Sequence, residues 1–240
     1  MTKQRLDIEL TKRGLVTSRS QAESWIKLGK VLVDGKIANK SGVFVREDSQ
    51  ISVTSDERYV GRAGLKLASV AKLLKLDFRG KKVLDVGSST GGFTDYSLQN
   101  GAAKVYAVDV GTDQLHPSLR KHPKIELHEK TDIRDFYLDD KPDIVVMDVS
   151  FISLREILPH IAKELSGADT QIVAMLKPQF EAGREQVNKG VIKNDSVRRQ
   201  ILRDFETWAK QHFVIQDKRD SDVAGAKGNQ ERFYLLKRTK

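Results

Sequence analysis

The sequence predicts an α/β protein whose main domain is a mostly parallel sheet covered by helices, preceded by a small α+β domain. From about residue 60 onward, near-continuous apolar runs alternate with stretches of helical periodicity, and strands buried on both faces have such runs. Before that point the elements are short and the residues strongly basic. We therefore expect a first domain at 1–56, a linker at 57–62 and a main domain at 63–240.

The composition indicates which partners and compartments to expect. The formal net charge of +9 favours a polyanionic partner such as nucleic acid. The absence of cysteine excludes disulfides and thiolate metal sites and fits a reducing compartment. No apolar signal segment opens the chain, and no apolar run is long enough to span a membrane. We expect a cytoplasmic protein without membrane contact or bound metal, as a monomer or weak dimer.

The first domain is predicted to contain two helices followed by short strands. The first helix carries Leu6 and Leu10 and ends at Gly14. The second begins at the capping residues 17–20 and ends at Gly29. Three short strands follow, at 31–33, 43–45 and 51–53.

A basic surface is predicted on this first domain. Up to Arg46 it holds ten lysines and arginines against four acidic residues. Such a surface is often simply solvated. Here, however, the basic residues fall beside helix ends and turns, where they could meet phosphate groups. Both interpretations stay open from composition alone.

The main domain is predicted to alternate strands and helices. Strands are expected at 82–87, 105–109, 144–148 and 172–176, with a closing pair at 213–215 and 232–236. Helices are expected at 64–76, 92–100, 153–165 and 195–210. Because helices separate the strands, the sheet should be mostly parallel and bind ligands at the carboxyl ends of its strands.

A glycine-rich turn follows the first strand of this sheet, in the segment VLDVGSSTGGFTDYSL. Glycines in such a turn permit close backbone approach, and the next helix offers free N–H groups. The segment matches neither the dinucleotide fingerprint nor a P-loop. We expect it to contact a cofactor through Asp85, Gly87, Ser88, Ser89, Thr90, Gly91, Gly92 and Phe93.

Two acids after the next strands suit a nucleoside. Asp109, followed by Val110, ends the second strand, where a carboxylate can accept hydrogen bonds from ribose hydroxyls. Asp132 follows the third strand and could meet an adenine amino group. Taken alone, Asp109 could equally be a turn former and Asp132 a helix cap. An acid at the loop without a pyrophosphate signature favours S-adenosylmethionine over a nicotinamide cofactor.

Four charged residues stand in contexts that core packing does not explain: Lys66, Asp148, Lys177 and Glu231. Asp148 and Lys177 directly follow buried strands, where a lysine is costly unless it has a chemical role. Lys66 could otherwise be a solvated helix lysine, and Glu231 a surface acid at the start of a strand. Asp148 could also lie near a positively charged sulfonium.

A polar loop follows the fifth strand and includes Arg184. Loops of this kind on a rigid sheet often contact substrate. Two aromatic residues nearby, Phe151 and Phe180, could stack on a flipped base, but we expect them to pack in the core.

Several motifs together resemble one family. In order they are YVGRAGLKL, DVGSSTGGFTD, YAVDVG, DVSFISL, LKPQFEAGRE and GNQERF. They are similar to the TlyA family of FtsJ-like ribosomal RNA 2′-O-methyltransferases, which are often named hemolysins. The first domain, through SRSQAESWIKLGKVLVDGK, resembles the RNA-binding domain named after the S-four ribosomal protein.

This resemblance implies a fold, a reaction and site residues. The fold would be a Rossmann-like class I methyltransferase sheet of seven mostly parallel strands with a small S-four-like domain. The cofactor would be S-adenosylmethionine, and the acceptor a ribose 2′-hydroxyl, on cytidine, in ribosomal RNA or ribosomal subunits. The catalytic tetrad falls on Lys66, Asp148, Lys177 and Glu231. The expected RNA contacts are Arg5, Ser18, Arg19, Lys27, Lys30, Arg62 and Arg184.

Three other functions remain open at this point. One is an RNA-binding or ribosome-assembly protein without catalysis, and the second is a membrane-active hemolysin. The third is a nicotinamide-dependent oxidoreductase.

Overall fold

The computed structural model describes residues 3–16, 19–27, 29–53, 59–183, 185, 187, 190–192, 194–225 and 228–239, with only the backbone described at 20, 21, 24 and 27. The chain forms two compact units, residues 1–58 and 59–240. The limits of the predicted linker stay predictions.

The described residues of the first unit form two helices and two small sheets. The helices are α1 (Leu6–Lys12) and α2 (Arg19–Lys27), and their apolar faces share a core with Val31 and Val45. The strands are β1 (Lys3–Arg5), β2 (Val31–Val33), β3 (Lys36–Ile37), β4 (Phe44–Arg46) and β5 (Ile51–Val53). They pair as β1-β4 and as β3-β2-β5. The strands β1 and β3, of three and two residues, were not predicted.

The second unit is built on one seven-stranded sheet in the order β11-β12-β10-β9-β6-β7-β8. Its strands are β6 (Lys82–Val86), β7 (Lys104–Val108), β8 (Ile125–His128), β9 (Ile144–Met147), β10 (Gln171–Leu176), β11 (Phe213–Asp220) and β12 (Arg232–Arg238). β12 is antiparallel to both of its neighbours, β10 and β11, and the other neighbouring strands of this sheet are parallel. The prediction of seven mostly parallel strands is thus confirmed.

Helices cover both faces of this sheet. They are α3 (Arg62–Ala71), α4 (Gly92–Gln99), α5 (Pro117–Arg120), α6 (Leu154–His160), α7 (Pro178–Glu181) and α8 (Asp195–Ala209). Alternate residues of β9 divide between two apolar cores: Val145 and Met147 pack in the core with α6 and α8, Ile144 and Val146 in the core with α3. Side chains of a strand alternate between faces, so a central strand must be apolar throughout.

The strand order places β6 between β7 and β9. From β6 the chain builds outward to β7 and β8, then returns to the other side with β9 and β10. A ligand crevice forms at such a point, outside the carboxyl ends of the strands. Within the part of the chain that is described, no helix is long and apolar enough to cross a membrane.

Candidate active site

A cavity of about 340 Å³ opens where the strands β6, β7 and β9 end. Its size suits a cofactor or small ligand. The wall includes Gly87, Ser89, Asp109, Asp132 and Asp148. The remaining wall is mostly apolar, formed by Val86, Val108, Val110, Ile133, Val149, Phe151, Ile152 and Ile157, with Gln114, Thr131 and Ser150. The cavity therefore combines an apolar lining with three carboxylates.

Asp109 holds the glycine-rich turn in place. One carboxylate oxygen accepts a hydrogen bond from the backbone N–H of Ser89 at 2.8 Å, and the other accepts one from Gly111 at 2.7 Å. Ser89 itself has a positive φ of 46°. Asp109 is thus a turn former, as one interpretation expected, and it also lines the cavity. Each oxygen keeps a second lone pair for a ligand.

Asp132 caps a short 3₁₀ turn at 133–135 through the backbone N–H of Arg134, 2.9 Å away. The Arg134 guanidinium lies 2.7 Å from the other oxygen, and these hydrogen bonds lower the pKa of Asp132 to about 2. The capping interpretation is therefore correct, and Asp132 lines the cavity as well. Its carboxylate stays negative throughout the physiological range.

Asp85 differs from the expectation that it contacts a cofactor. It is fully buried, is not part of the cavity wall, and accepts a hydrogen bond from Thr94 Oγ1 at 2.7 Å. Burial, aided by the negative charge of Asp148, raises the pKa of Asp85 to about 7. Its other oxygen has no hydrogen-bond partner among the described atoms. Asp85 thus contacts, through Thr94, the helix that follows the glycine-rich turn.

Five other residues expected at the cofactor also lie outside the cavity wall: Ser88, Thr90, Gly91, Gly92 and Phe93. Packing explains two of the glycines. A Cβ on Gly91 would come within 2.5 Å of Leu119, and one on Gly92 within 2.8 Å of the backbone nitrogen of Gly64. These glycines are needed where helices approach closely.

The four candidate charged residues form two short ion pairs. Lys66 Nζ lies 2.6 Å from Glu231 Oε2, and the two side chains are 10% and 3% exposed. Lys177 Nζ lies 2.6 Å from Asp148 Oδ1, with side chains 11% and 16% exposed. Neither Lys66 nor Glu231 is therefore the solvated surface residue that each could have been. Buried charges of this kind are stable only when paired.

The sheet brings these pairs to the same edge. In the β10–β12 ladder Leu176 pairs with Arg232, so the next positions, 177 and 231, face each other. Asp148 directly follows β9, the other neighbour of β10. Adjacent strands lie about 4.8 Å apart. Three of the four residues therefore lie at the ends of neighbouring strands, and Lys66 is joined to them by its ion pair with Glu231.

Two loops meet around Lys177. Its ammonium donates a hydrogen bond to Ser150 Oγ at 2.7 Å and lies 5.9 Å from the ring centre of Phe180. Ser150 lines the cavity beside Asp148. Lys177 is thus connected to the cavity wall by two side chains. No sequence pattern indicated Ser150 or Gln114; the Gln114 amide oxygen lies 3.3 Å from the hydroxyl of Ser89.

Phe151 does not pack in the core as expected. It is 91% exposed and has a positive φ of 66°, which is unusual for a bulky residue. Its ring centre lies 5.1 Å from that of Phe180. Phe151 therefore stands at the rim of the cavity.

The expected RNA-contact residues of the first unit differ in their placement. Asp7, fully buried, accepts hydrogen bonds from Arg5 at 2.9–3.0 Å and from Arg19 at 2.9 Å. Both arginines remain substantially exposed, at 40% and 56% of their side chains. Lys30 is a correction: it is only 5% exposed, and its ammonium lies over the Trp25 ring at 5.4 Å. The ammonium therefore faces this ring rather than an exposed surface.

Of the other expected RNA contacts, Ser18, Arg184 and the side chain of Lys27 lie outside the described residues. Arg62 donates a hydrogen bond to the carbonyl of Ala224 at 2.6 Å. Among the described residues, no group of three or more metal-ligating side chains could hold an ion.

Comparison with known proteins places both units. The model of FtsJ-like methyltransferases matches residues 59–238, and the model of the S4 domain matches residues 4–51. The 23S rRNA (cytidine-2′-O)-methyltransferase TlyA of Campylobacter jejuni is 36% identical, over 96% of this chain and 98% of that protein. The 16S/23S rRNA (cytidine-2′-O)-methyltransferase TlyA of Mycobacterium tuberculosis is 37% identical, over 97% and 89%.

The hemolysin name also occurs among the relatives. Hemolysin A of Brachyspira hyodysenteriae is 37% identical, over 95% of this chain and 97% of that protein. Among solved structures, a Streptococcus thermophilus protein with the hemolysin name has a TM-score of 0.77 and 37% identity, covering 100% of this chain and 90% of that one.

Proposed function

The chain belongs to the FtsJ-like methyltransferase family, and we propose that it transfers a methyl group from S-adenosylmethionine to a ribose 2′-hydroxyl of ribosomal RNA, on cytidine. Two relatives that match nearly its full length are named for this reaction. The observation that carries the proposal is the pair of lysine–carboxylate contacts at the edge of the sheet, one of which, Lys177 with Asp148, borders the cavity.

The cavity suits a cationic nucleoside. Three carboxylates in its wall, those of Asp109, Asp132 and Asp148, favour a positively charged ligand over a pyrophosphate. Gly87, at φ 78°, lies so close to the next loop that a Cβ there would meet the carbonyl oxygen of Asp148 at 3.0 Å. Asp109 would hold the ribose, and Asp132 with the apolar wall would hold the adenine.

The chemistry needs orientation and removal of one proton. S-adenosylmethionine supplies an electrophilic methyl group on a sulfonium, which a protonated ribose hydroxyl attacks poorly. Lys177 and Asp148 would hold the acceptor hydroxyl and take up its proton. The methyl group would pass to the ribose oxygen as its bond to sulfur breaks, and the donor would leave as a neutral thioether. Because the two groups are in contact, we assign the proton to the pair.

The second ion pair would serve the RNA. Lys66 carries a positive charge, and Glu231 fixes its ammonium at 2.6 Å. In this position Lys66 would contact the acceptor ribose or a neighbouring phosphate. Arg62, four residues earlier, would support the same strand of RNA.

The first unit would bind the RNA backbone. It matches the S4 domain, and Asp7 clamps Arg5 and Arg19 from one side while both remain exposed. Arginines held in this way lose less conformational entropy when they meet phosphate. We place the RNA-binding domain at 1–56 and the methyltransferase domain at 63–240, joined by residues 57–62.

The test is labelled methyl transfer onto ribosomal particles that lack the modification, followed by mapping of the modified ribose. We expect the wild-type chain to label one or a few cytidines and Lys177→Ala to label none. If the wild-type chain binds the particles but transfers no methyl group, the protein is an RNA-binding factor without this activity.

A further inference from the structure

The loop that carries Asp148 and Ser150 is tied to the segment that carries Lys177 by a buried carboxylate, that of Glu181. We infer that Glu181 is a positioning residue for the proposed methyl transfer, on which this inference rests. It would act by holding loop 148–153 and Lys177 in register. Glu181 has no role in the sequence-based site or in the reaction described above.

The contacts of Glu181 are short and well buried. Its Oε2 accepts a hydrogen bond from the Ser153 hydroxyl at 2.6 Å, and its Oε1 accepts one from the backbone N–H of Leu154 at 2.7 Å. The side chain is 2% exposed, and Arg155 Nε lies 3.8 Å away. Ser153 and Leu154 are the residues at which α6 begins. Glu181 therefore fixes the end of loop 148–153, where α6 begins, to the end of the segment 177–181.

A carboxylate is the group that this position requires. Two donors, a hydroxyl and an amide N–H, point at it from the same side. A carboxylate offers an acceptor oxygen to each, whereas an amide has one acceptor oxygen and one donor nitrogen. Burial raises the pKa of Glu181, which shows that the carboxylate is held here at an energetic cost.

The connection to Lys177 is short. Lys177 is the N-cap of α7, Glu181 is the last residue of that helix, and Phe180 N donates to the carbonyl of Lys177 at 2.9 Å. At the other end of the loop, Lys177 contacts Asp148 and Ser150. The segment 177–181 is thus joined to loop 148–153 at two points. Lys177 contacts the start of the loop, at Asp148 and Ser150, and Glu181 contacts its end, at Ser153.

Removal of the remote connection should disturb geometry rather than binding. A displacement of about 1 Å at a reacting group can lower a rate by about 100-fold. Loop 148–153 supplies five residues of the cavity wall, including Asp148, whereas the rest of the wall, with Asp109 and the glycine-rich turn, comes from segments with which Glu181 has no described contact. The maximal rate should therefore fall by more than the cofactor affinity.

The experiment compares Glu181→Ala and Glu181→Gln with Glu156→Ala. Glu156 is a matched control because it is an exposed carboxylate in the first turn of the same helix, α6. Each full-length variant is assayed for methyl transfer onto unmodified ribosomal particles, for its Tm, and for S-adenosylmethionine affinity by calorimetry. Ser153→Ala is made alone and together with Glu181→Ala.

We expect Glu181→Ala to lower kcat by about 10- to 100-fold, with less than about a threefold change in cofactor Kd and RNA KM. Glu181→Gln, which keeps one acceptor oxygen, should lose less. Glu156→Ala should match the wild type. Because Ser153 and Glu181 share one hydrogen bond, the loss of kcat in the double variant should be smaller than the combined losses of the two single variants.

Several results would overturn the inference while leaving the proposed function standing. One is a Glu181→Ala variant whose kcat matches that of Glu156→Ala. Another is a loss of activity that follows Tm alone, or one that appears only in cofactor Kd. If Glu181→Ala does not fold, the same comparison is read from Glu181→Gln, where wild-type kcat refutes the inference. A wild-type chain without methyl transfer would instead refute the proposed function.

Discussion

Asp85 predicts a pH dependence of stability that can be worked out from its surroundings. The residue is fully buried, and burial together with the charge of Asp148 raises its pKa from 3.8 to about 7. Substitution by asparagine keeps an acceptor for the Thr94 hydroxyl and removes the ionisable group. The difference between wild type and Asp85→Asn therefore isolates this one titration.

The sign follows from proton binding. The folded protein keeps the Asp85 proton up to about pH 7, whereas the unfolded chain releases it near pH 4. Between these values the folded state binds more protons, so stability falls as the pH rises. A difference of about three pH units corresponds to about 4 kcal/mol. The wild type should thus lose up to about 4 kcal/mol, relative to Asp85→Asn, between pH 4 and pH 8.

The assay is urea unfolding between pH 4 and pH 8.5. A Trp25→Phe background leaves Trp208, in α8, as the single tryptophan, so that fluorescence reports only the unit that contains Asp85. The asparagine amide adds an offset that is independent of pH. A difference between the two proteins that stays constant over this range would refute the reasoning.

Two further predictions concern the ion pair of Lys66 with Glu231 and the exposed arginine Arg19, which is held by Asp7. Lys66→Met leaves Glu231 buried without its partner and should lower the free energy of unfolding by about 3–5 kcal/mol. The double variant Lys66→Met with Glu231→Leu should recover much of this loss. Equal losses of stability in the single and double variants, measured by denaturant unfolding, would contradict the prediction. Arg19→Ala should weaken RNA binding and reduce its dependence on salt by about one phosphate contact, with cofactor affinity unchanged. Arg79→Ala, an exposed arginine of the other unit, is the control; an equal loss of RNA affinity would show that only net charge matters.

Much of the fold follows from patterns that a buried parallel sheet imposes on sequence. Strands β6, β7, β9 and β10 are mostly apolar and buried on both faces, and each was predicted to within one residue. Strand β8 was not delimited, because Ile125–His128 alternates apolar and polar residues at the edge of the sheet. The predicted helix at 153–165 ends as an α-helix at His160 and continues as a π-helical turn, since Pro159 cannot donate a helical hydrogen bond.

The site was predictable where it depends on strand ends and unpredictable where it depends on loops. Asp148 and Lys177 follow neighbouring parallel strands, so the topology alone brings them together. Ser150 and Glu181 act through contacts between residues 27 and 28 positions apart in the chain, which no local pattern encodes. Gly91 and Gly92 look like cofactor residues in sequence, yet helix packing explains them equally well.

The most direct test of the proposed chemistry is a single-turnover measurement of methyl transfer by the wild type and by Lys177→Met, at saturating S-adenosylmethionine and unmodified ribosomal particles. Methionine keeps an unbranched side chain of nearly the same length but lacks the ammonium group. We expect transfer to one or a few ribose 2′-oxygens by the wild type, and loss of at least about 100-fold in Lys177→Met, with cofactor Kd nearly unchanged. Transfer by Lys177→Met at the wild-type rate would contradict the assignment of the reaction to Lys177 and Asp148.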